Sequence, residues 1–173
     1  MNEDVVRDVF SVYEVLKDAL KVTRRSIDRE IYTLHNRTIF LGEKKDDVAD
    51  RLSAVESDLD DIMILSLFAS FERELRVFIQ DIVSRSTNKN TRTVERITDL
   101  ATDAIERWTI ADMVDAFSDV VDIKLRGRVN QIYEYRNWVA HGKNQNKLPS
   151  ARTDPKSVQI TLIDFILQAK QAT

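Results

Sequence analysis

The sequence predicts an all-α protein, an up-and-down helical bundle with two long antiparallel helices and about three shorter ones. Three observations carry this. Only three glycines and two prolines occur in 173 residues, too few for a turn-rich β fold. Hydrophobic residues make up 43% of the chain, and a single domain of this length buries roughly two-thirds of its unfolded surface. Along most of the chain the apolar residues recur at steps of three and four, the period of a helix with one buried face. Residues 1–173 are therefore expected to form one helical domain.

Within residues 4–41, Val5, Val9, Val12, Leu16 and Ala19, then Ile27, Ile31 and Leu34, mark one face of a first helix, and the polar stretch 21–25 reads as a kink or exposed turn. Gly42 stands where a helix would end, and Asp46 or Asp47 where the next would be capped. The second helix is expected over about 48–83, with Val48, Leu52, Val55, Leu59, Ile62, Leu65, Phe68, Phe71, Leu75, Phe78, Ile79 and Ile82 on its apolar face. It would be roughly 54 Å long at 1.5 Å per residue. Two such helices joined by a short turn make an antiparallel hairpin. Glu72 interrupts the pattern: it lies about 40° around the helix from Phe68 and about 60° from Leu75, inside the stripe or at its margin.

Residues 84–91 read as a polar loop, and Val94, Ile97, Leu100, Ala101, Ala104, Ile105 and Trp108 describe a shorter helix. Thr109-Ile110-Ala111-Asp112 has the form of a capping box and opens another short helix to about Phe117. The next helix is expected over about 123–140. Leu125, Val129, Ile132 and Val139 share one stripe there, and Arg136 lies on that same stripe. Thirteen polar and partly basic residues follow, 142–154, a length that in a compact domain signals function or disorder. Asp154 and Pro155 then supply the cap and first-turn proline of a last helix, with Val158, Leu162, Phe165 and Ile166 facing inward.

Composition narrows the chemistry. With no cysteine there are no disulfides, thiolate zinc sites or cysteine nucleophiles, and with only two histidines a His/Cys metal cluster is improbable. No metal or other cofactor is expected. No apolar run approaches the roughly 20 residues of a membrane span, and Met1-Asn2-Glu3-Asp4 does not open a signal peptide. The expectation is a soluble, cytoplasmic protein with no membrane partner. The net charge of −3 is unevenly spread: residues 121–173 hold nine Lys/Arg against four Asp/Glu, a balance of +5 that leaves −8 on residues 1–120. A basic C-terminal third suits a polyanion.

That third contains Tyr135-Arg136-Asn137-Trp138-Val139-Ala140-His141-Gly142, a guanidinium, an amide and one of the two histidines within six residues, closed by a glycine. Arg136 and His141 are five apart, about 140° around a helix, so they do not share a face. Asn137 and His141 are about 40° apart and do, with Tyr133 one turn earlier. The residue types suit RNA cleavage without metal. Imidazole both takes and gives protons near neutral pH, so His141 can act on a ribose 2′-hydroxyl or on the leaving oxygen. The Arg136 fork binds phosphate and stabilises charge developing on it. The Asn137 amide can fix the imidazole tautomer or hold a phosphate oxygen.

The stretch Arg136-Asn137-Trp138-Val139-Ala140-His141-Gly142 resembles the Arg-x4–6-His signature of the HEPN family in its RN-x-x-AHG form. The family also places a glutamate in an apolar earlier helix, and Phe71-Glu72 within Leu67-Phe68-Ala69-Ser70-Phe71-Glu72 resembles that element. The resemblance implies an all-helical bundle that dimerises to assemble a composite, metal-independent endoribonuclease site. It implies products with a 2′,3′-cyclic phosphate and a 5′-hydroxyl, and often a toxin–antitoxin or phage-defence setting with an antitoxin protein as partner. In that reading Arg136, Asn137 and His141 are catalytic, with Glu72 and Tyr133 in support. Lys124, Arg126, Arg128 and Lys143 would track the RNA backbone.

A plainer reading stands beside it, a non-catalytic helical module that binds a partner protein or a nucleotide. Arg136 would then pair with Glu72 and hold two helices in register, since a buried lone charge costs several kcal/mol. His141 would sit on the last carbonyls of its helix, ahead of a Gly142 cap. Trp138 points away from the stripe and is expected outside the core, against a second protomer or a base. His35, beside Asn36 and Arg37, is expected at the surface.

Overall fold

The computed structural model describes residues 1–86 and 92–172, without the side chains of Tyr32 and Ser86. It is an all-α bundle. The described residues form α1 (Asp4–Asp28), α2 (Lys45–Ser86), α3 (Arg92–Ile105), α4 (Ile110–Asp115), α5 (Ile123–Ala140) and α6 (Pro155–Ala169), with 3₁₀ turns at Tyr32–His35 and Lys170–Ala172. The helices are two long and four shorter, and no strand occurs among the described residues. No helix there is long and apolar enough to cross a membrane.

α1 runs unbroken through 21–25 and stops at Asp28, well short of the expected 41. Its end is a Schellman motif: Ile31 N–H donates to Ser26 O at 2.9 Å and Glu30 N–H to Ile27 O at 3.0 Å. Glu30 adopts the left-handed conformation there, φ 55°, where a glycine would be usual, so composition does not mark the stop. The 3₁₀ turn then folds back on α1. His35, expected at the surface, is consequently buried, its Nε2 3.3 Å from Ser26 Oγ.

The hairpin is antiparallel, shown by the ordered contacts Asn2–Glu74, Tyr13–Asp60, Lys17–Glu56 and Arg24–Ser53. Its first half differs from the apolar stripe expected. On α1 the buried side chains are Val6, Phe10, Ser26 and Ile27, of which Ile27 was expected and packs with Val48 and Leu52 of α2, while Val12 and Leu16 are exposed. On α2, Val55 and Ile62 are exposed and Asp61 is buried. The reason is electrostatic. The N-terminal half of α2 is acidic, and α1 turns toward it the face that carries Tyr13, Lys17 and Arg24.

Beyond Asp61 the expected stripe becomes the core. Phe68, Phe71, Leu75, Phe78 and Ile79 are buried, and Phe71 meets Phe165 of α6 edge-on with centroids 5.4 Å apart. Phe165 also contacts Phe117, which stacks on Phe78. α6 thus lies against α2 and α5, with Val158, Leu162, Phe165 and Ile166 buried as expected.

Residues 84–86, expected in a loop, continue α2; 87–91 of the same expected loop lie outside the described residues. α3 ends at Ile105 rather than Trp108 and buries Thr98 and Ile105 instead of Ile97 and Leu100, which are exposed. The capping box at Thr109 and Asp112 forms as expected, with Thr109 N–H donating to Asp112 Oδ2 at 2.9 Å, although α4 itself ends at Asp115. The caps of α5 and α6 are Asp122 and Asp154.

Arg76 joins α2 to α3. It donates to the carbonyls of Ile105 and Glu106 at 3.2 and 3.0 Å and pairs with Glu72 at 3.1 Å, a cation placed on the free carbonyls of a helix end. Arg76→Ala is expected to lower the unfolding free energy by about 1–3 kcal/mol in urea denaturation. A change below about 0.5 kcal/mol, the scatter of ordinary surface substitutions, would contradict this role.

Candidate functional site

The end of α5 and the segment after it form the candidate site. The helix is started by Asp122, whose Oδ1 accepts from Lys124 N–H at 2.8 Å and Leu125 N–H at 3.2 Å. It ends in a second Schellman motif: Lys143 N–H donates to Trp138 O at 2.9 Å and Gly142 N–H to Val139 O at 3.0 Å. His141 is the C-cap residue and its side chain is exposed. Gly142 takes φ 77°, which only glycine adopts without strain.

Residues 142–154 carry no helix, but the segment is fastened to the bundle. Trp138 Nε1 donates to Asn144 O at 2.9 Å, and Ser150 Oγ to Glu134 Oε2 at 2.5 Å. Lys143 Nζ is bonded to the Asp61 carboxylate and lies 3.6 Å from Asp58. Tyr135 OH donates to Asp61 at 2.8 Å. The Trp138 ring, expected to be free for a partner, packs on Tyr135 with centroids 5.7 Å apart and is half-buried. It closes the chain reversal after α5.

This arrangement leaves a cleft of about 450 Å³ beside the helix end, walled by Glu134, Asn137, Trp138, His141, Lys147 and Pro149. Asn137 and His141 therefore share one cleft, as their four-residue spacing implies. Arg136 does not line it. The guanidinium is half-buried on the neighbouring face, where Nη1 donates to Asn137 Oδ1 at 2.9 Å. Its Nε is buried with no hydrogen-bond partner among the described residues.

The structure gives several of the expected residues other partners. The expected ion pair of Arg136 with Glu72 does not form among the described residues, and Arg76, one turn along α2, holds that carboxylate. Tyr133 stacks on Phe68 at 5.7 Å, turned to the core, and Glu134 lines the cleft instead. Arg126 pairs with Asp115 of α4 at 2.9 Å, and Lys143 is engaged by Asp58 and Asp61. Arg128 is exposed but belongs to a different hollow.

No family model, curated protein or solved structure matches the chain. The residues of the site therefore carry the functional reading by themselves. Glu134 was legible, since seven residues place it within about 20° of His141 on the helix. Asp61 was not, because nothing in the run Asp58-Leu59-Asp60-Asp61 singles out the buried carboxylate. Among the described residues no three His, Asp or Glu side chains converge as a metal site would require.

Burial pushes the Tyr135 hydroxyl up to about 12, and its bond to Asp61 adds to this. Tyr13 is raised to about 12 in the same way, by burial and then by its bond to Asp60. Lys143 is raised chiefly by its hydrogen bond to Asp61. A folded-state value above the unfolded one means stability that is whole below the ordinary tyrosine value of 10.0 and is lost as pH climbs toward 12. Stability should fall across that window, and Tyr13→Phe with Tyr135→Phe should flatten the fall. An unaltered pH profile in the double variant would refute it.

Glycine substitutions on α5 should have opposite signs. Gly142→Ala meets open space, so its whole cost is backbone strain, about 1–2 kcal/mol. Gly127→Ala also meets open space but lies mid-helix, and should stabilise by roughly 0.5–1 kcal/mol. Paired thermal melts test the contrast.

Proposed function

We propose that this chain is a metal-independent endoribonuclease of HEPN type, acting as a homodimer with a composite site of Arg136, Asn137 and His141. One observation supports it above others: an amide and an imidazole share one cleft at the end of α5, next to a half-buried guanidinium that has no carboxylate partner among the described residues. A phosphate can meet the open part of that fork. Because Arg136 looks out of a different side of α5 from His141, one protomer holds only part of the site. Twofold pairing of the α5 ends completes it.

In this reading one His141 takes the proton of a ribose 2′-hydroxyl as its oxygen attacks phosphorus. His141 of the partner subunit gives a proton to the departing 5′-oxygen as that P–O bond breaks, leaving a 2′,3′-cyclic phosphate and a 5′-hydroxyl. Arg136 stabilises the charge on the phosphoryl oxygens, and Asn137 orients the guanidinium through the bond it already accepts. Trp138 offers a wall on which a base can stack. A cytoplasmic toxin checked by an antitoxin protein is the setting that fits this activity.

The second reading, a helical module that binds a protein or nucleotide without catalysis, draws on the Arg136–Asn137 bond itself, which engages two of the three polar motif residues with each other. Incubation with mixed RNA in EDTA separates the two. The wild type should cleave, and His141→Ala should cut the rate by about 10²–10⁴ while leaving the melting temperature unchanged. No cleavage by the wild type, equal cleavage by the variant, or a strictly monomeric active protein in sedimentation would sink the nuclease. Growth arrest on expression, relieved by His141→Ala, would support the toxin setting.

A further inference from the structure

Between α5 and the start of α6 lies a second hollow, of about 250 Å³, with Arg128 and Gln131 on one wall and Arg152 and Thr153 on the other. Arg128 precedes Asn137 by nine residues, about 14 Å along α5 and half a turn around it, so this hollow is separate from the His141 cleft. Neither Arg128 nor Arg152 forms an ion pair within 4.0 Å among the described residues, although Arg152 also borders a neighbouring hollow lined by Asp60, Asp61 and Asp154. Arg126, two residues from Arg128, is by contrast neutralised by Asp115.

Thr161 reaches the same hollow from α6 and is only 7% exposed. Two helical threonines, Thr23 and Thr98, return their hydroxyl to the carbonyl four residues back, at 2.9 and 3.0 Å. Thr161 makes no such bond among the described residues, and its side chain borders the hollow. The helix dipole is not the source of attraction, because Asp154 already accepts Lys156 N–H, Ser157 N–H and Ser157 Oγ. What remains is two guanidinium forks from different elements, a side-chain amide and a hydroxyl, donors that converge from several directions.

We propose that this hollow is an oxyanion site that takes a phosphoryl group. A tetrahedral oxyanion presents acceptors toward all of these donors, whereas a planar carboxylate meets only one fork, and paired arginines favour bidentate phosphate contacts. The group arrives either free or on a nucleic-acid strand; the recognising chemistry is shared. The site stands whether or not the chain is a nuclease.

The test is calorimetric titration of inorganic phosphate into the full chain carrying His141→Ala, at fixed ionic strength in chloride. Saturable binding of one phosphate per protomer is expected, weakened about tenfold or more by Arg128→Gln with Arg152→Gln. Thr161→Val should weaken it less. Both arginines are exposed, and unchanged circular dichroism would show that the variants fold. An oligoribonucleotide that displaces phosphate, with a salt dependence whose slope falls by about 2 in the double arginine variant, identifies a strand as the source. Failure to displace it identifies a free ligand. No saturable binding, or equal binding by the double variant, overturns the proposal. A wild type that cleaves no RNA, with phosphate still bound here by the His141→Ala chain, overturns only the nuclease; a wild type that cleaves, with no phosphate bound here, overturns only this site.

Discussion

The candidate site depends on one buried carboxylate. Asp61, on α2, accepts Tyr135 OH from α5 and holds the Lys143 ammonium from the segment after it. Only the carboxylate is buried, the Lys143 side chain being about a third exposed, so losing one of its hydrogen-bond partners costs on the order of 1–3 kcal/mol rather than the full penalty of a buried ion pair. The pair therefore fixes where the chain goes immediately after His141 and Gly142. With Lys143 held to α2, the backbone must reverse there, and the reversal brings Asn144 within reach of Trp138 and Ser150 within reach of Glu134. The cleft is the space that this anchored loop encloses against the last turns of α5.

The same constraint explains why α2 is not apolar along its whole length. Its C-terminal half is the core, but around Asp61 the helix exchanges hydrophobic contact for hydrogen-bonded and ionic contact with α1 and α5. The long loop is ordered by this polar half, while α5 is set against the apolar half through Phe68 and Tyr133. One helix thus supports the site by two kinds of packing.

Elements bounded by chemical markers were legible in the sequence. Asp154 with Pro155 fixed the start of α6, Gly142 the end of α5, and Thr109 with Asp112 the start of α4. The misplaced features lack such markers. α1 ends on a left-handed glutamate, and the inner face of α1 is selected by acids on a different helix. Period alone locates an apolar stripe but not which of two stripes finds a partner. For the site, the arithmetic of α5 separated Arg136 from Asn137 and His141, and the four-residue spacing of Glu72 and Arg76 on one helix equally marked their pairing, which the expected Arg136–Glu72 brace passed over.

The Glu72–Arg76 pair bears on what Arg136 is for. Were Glu72 its partner, the arginine would be explained as a brace between helices. Arg76 holds Glu72 instead, and Arg136 keeps only a neutral amide acceptor and a buried Nε without one. Leaving a buried donor unsatisfied costs on the order of 1–3 kcal/mol, more when it is charged. Burial also closes Nε to any ligand, so an anion from outside the protomer would meet only the rest of the fork; what leaves Arg136 open to one is the lack of a carboxylate partner among the described residues, not the orphaned Nε.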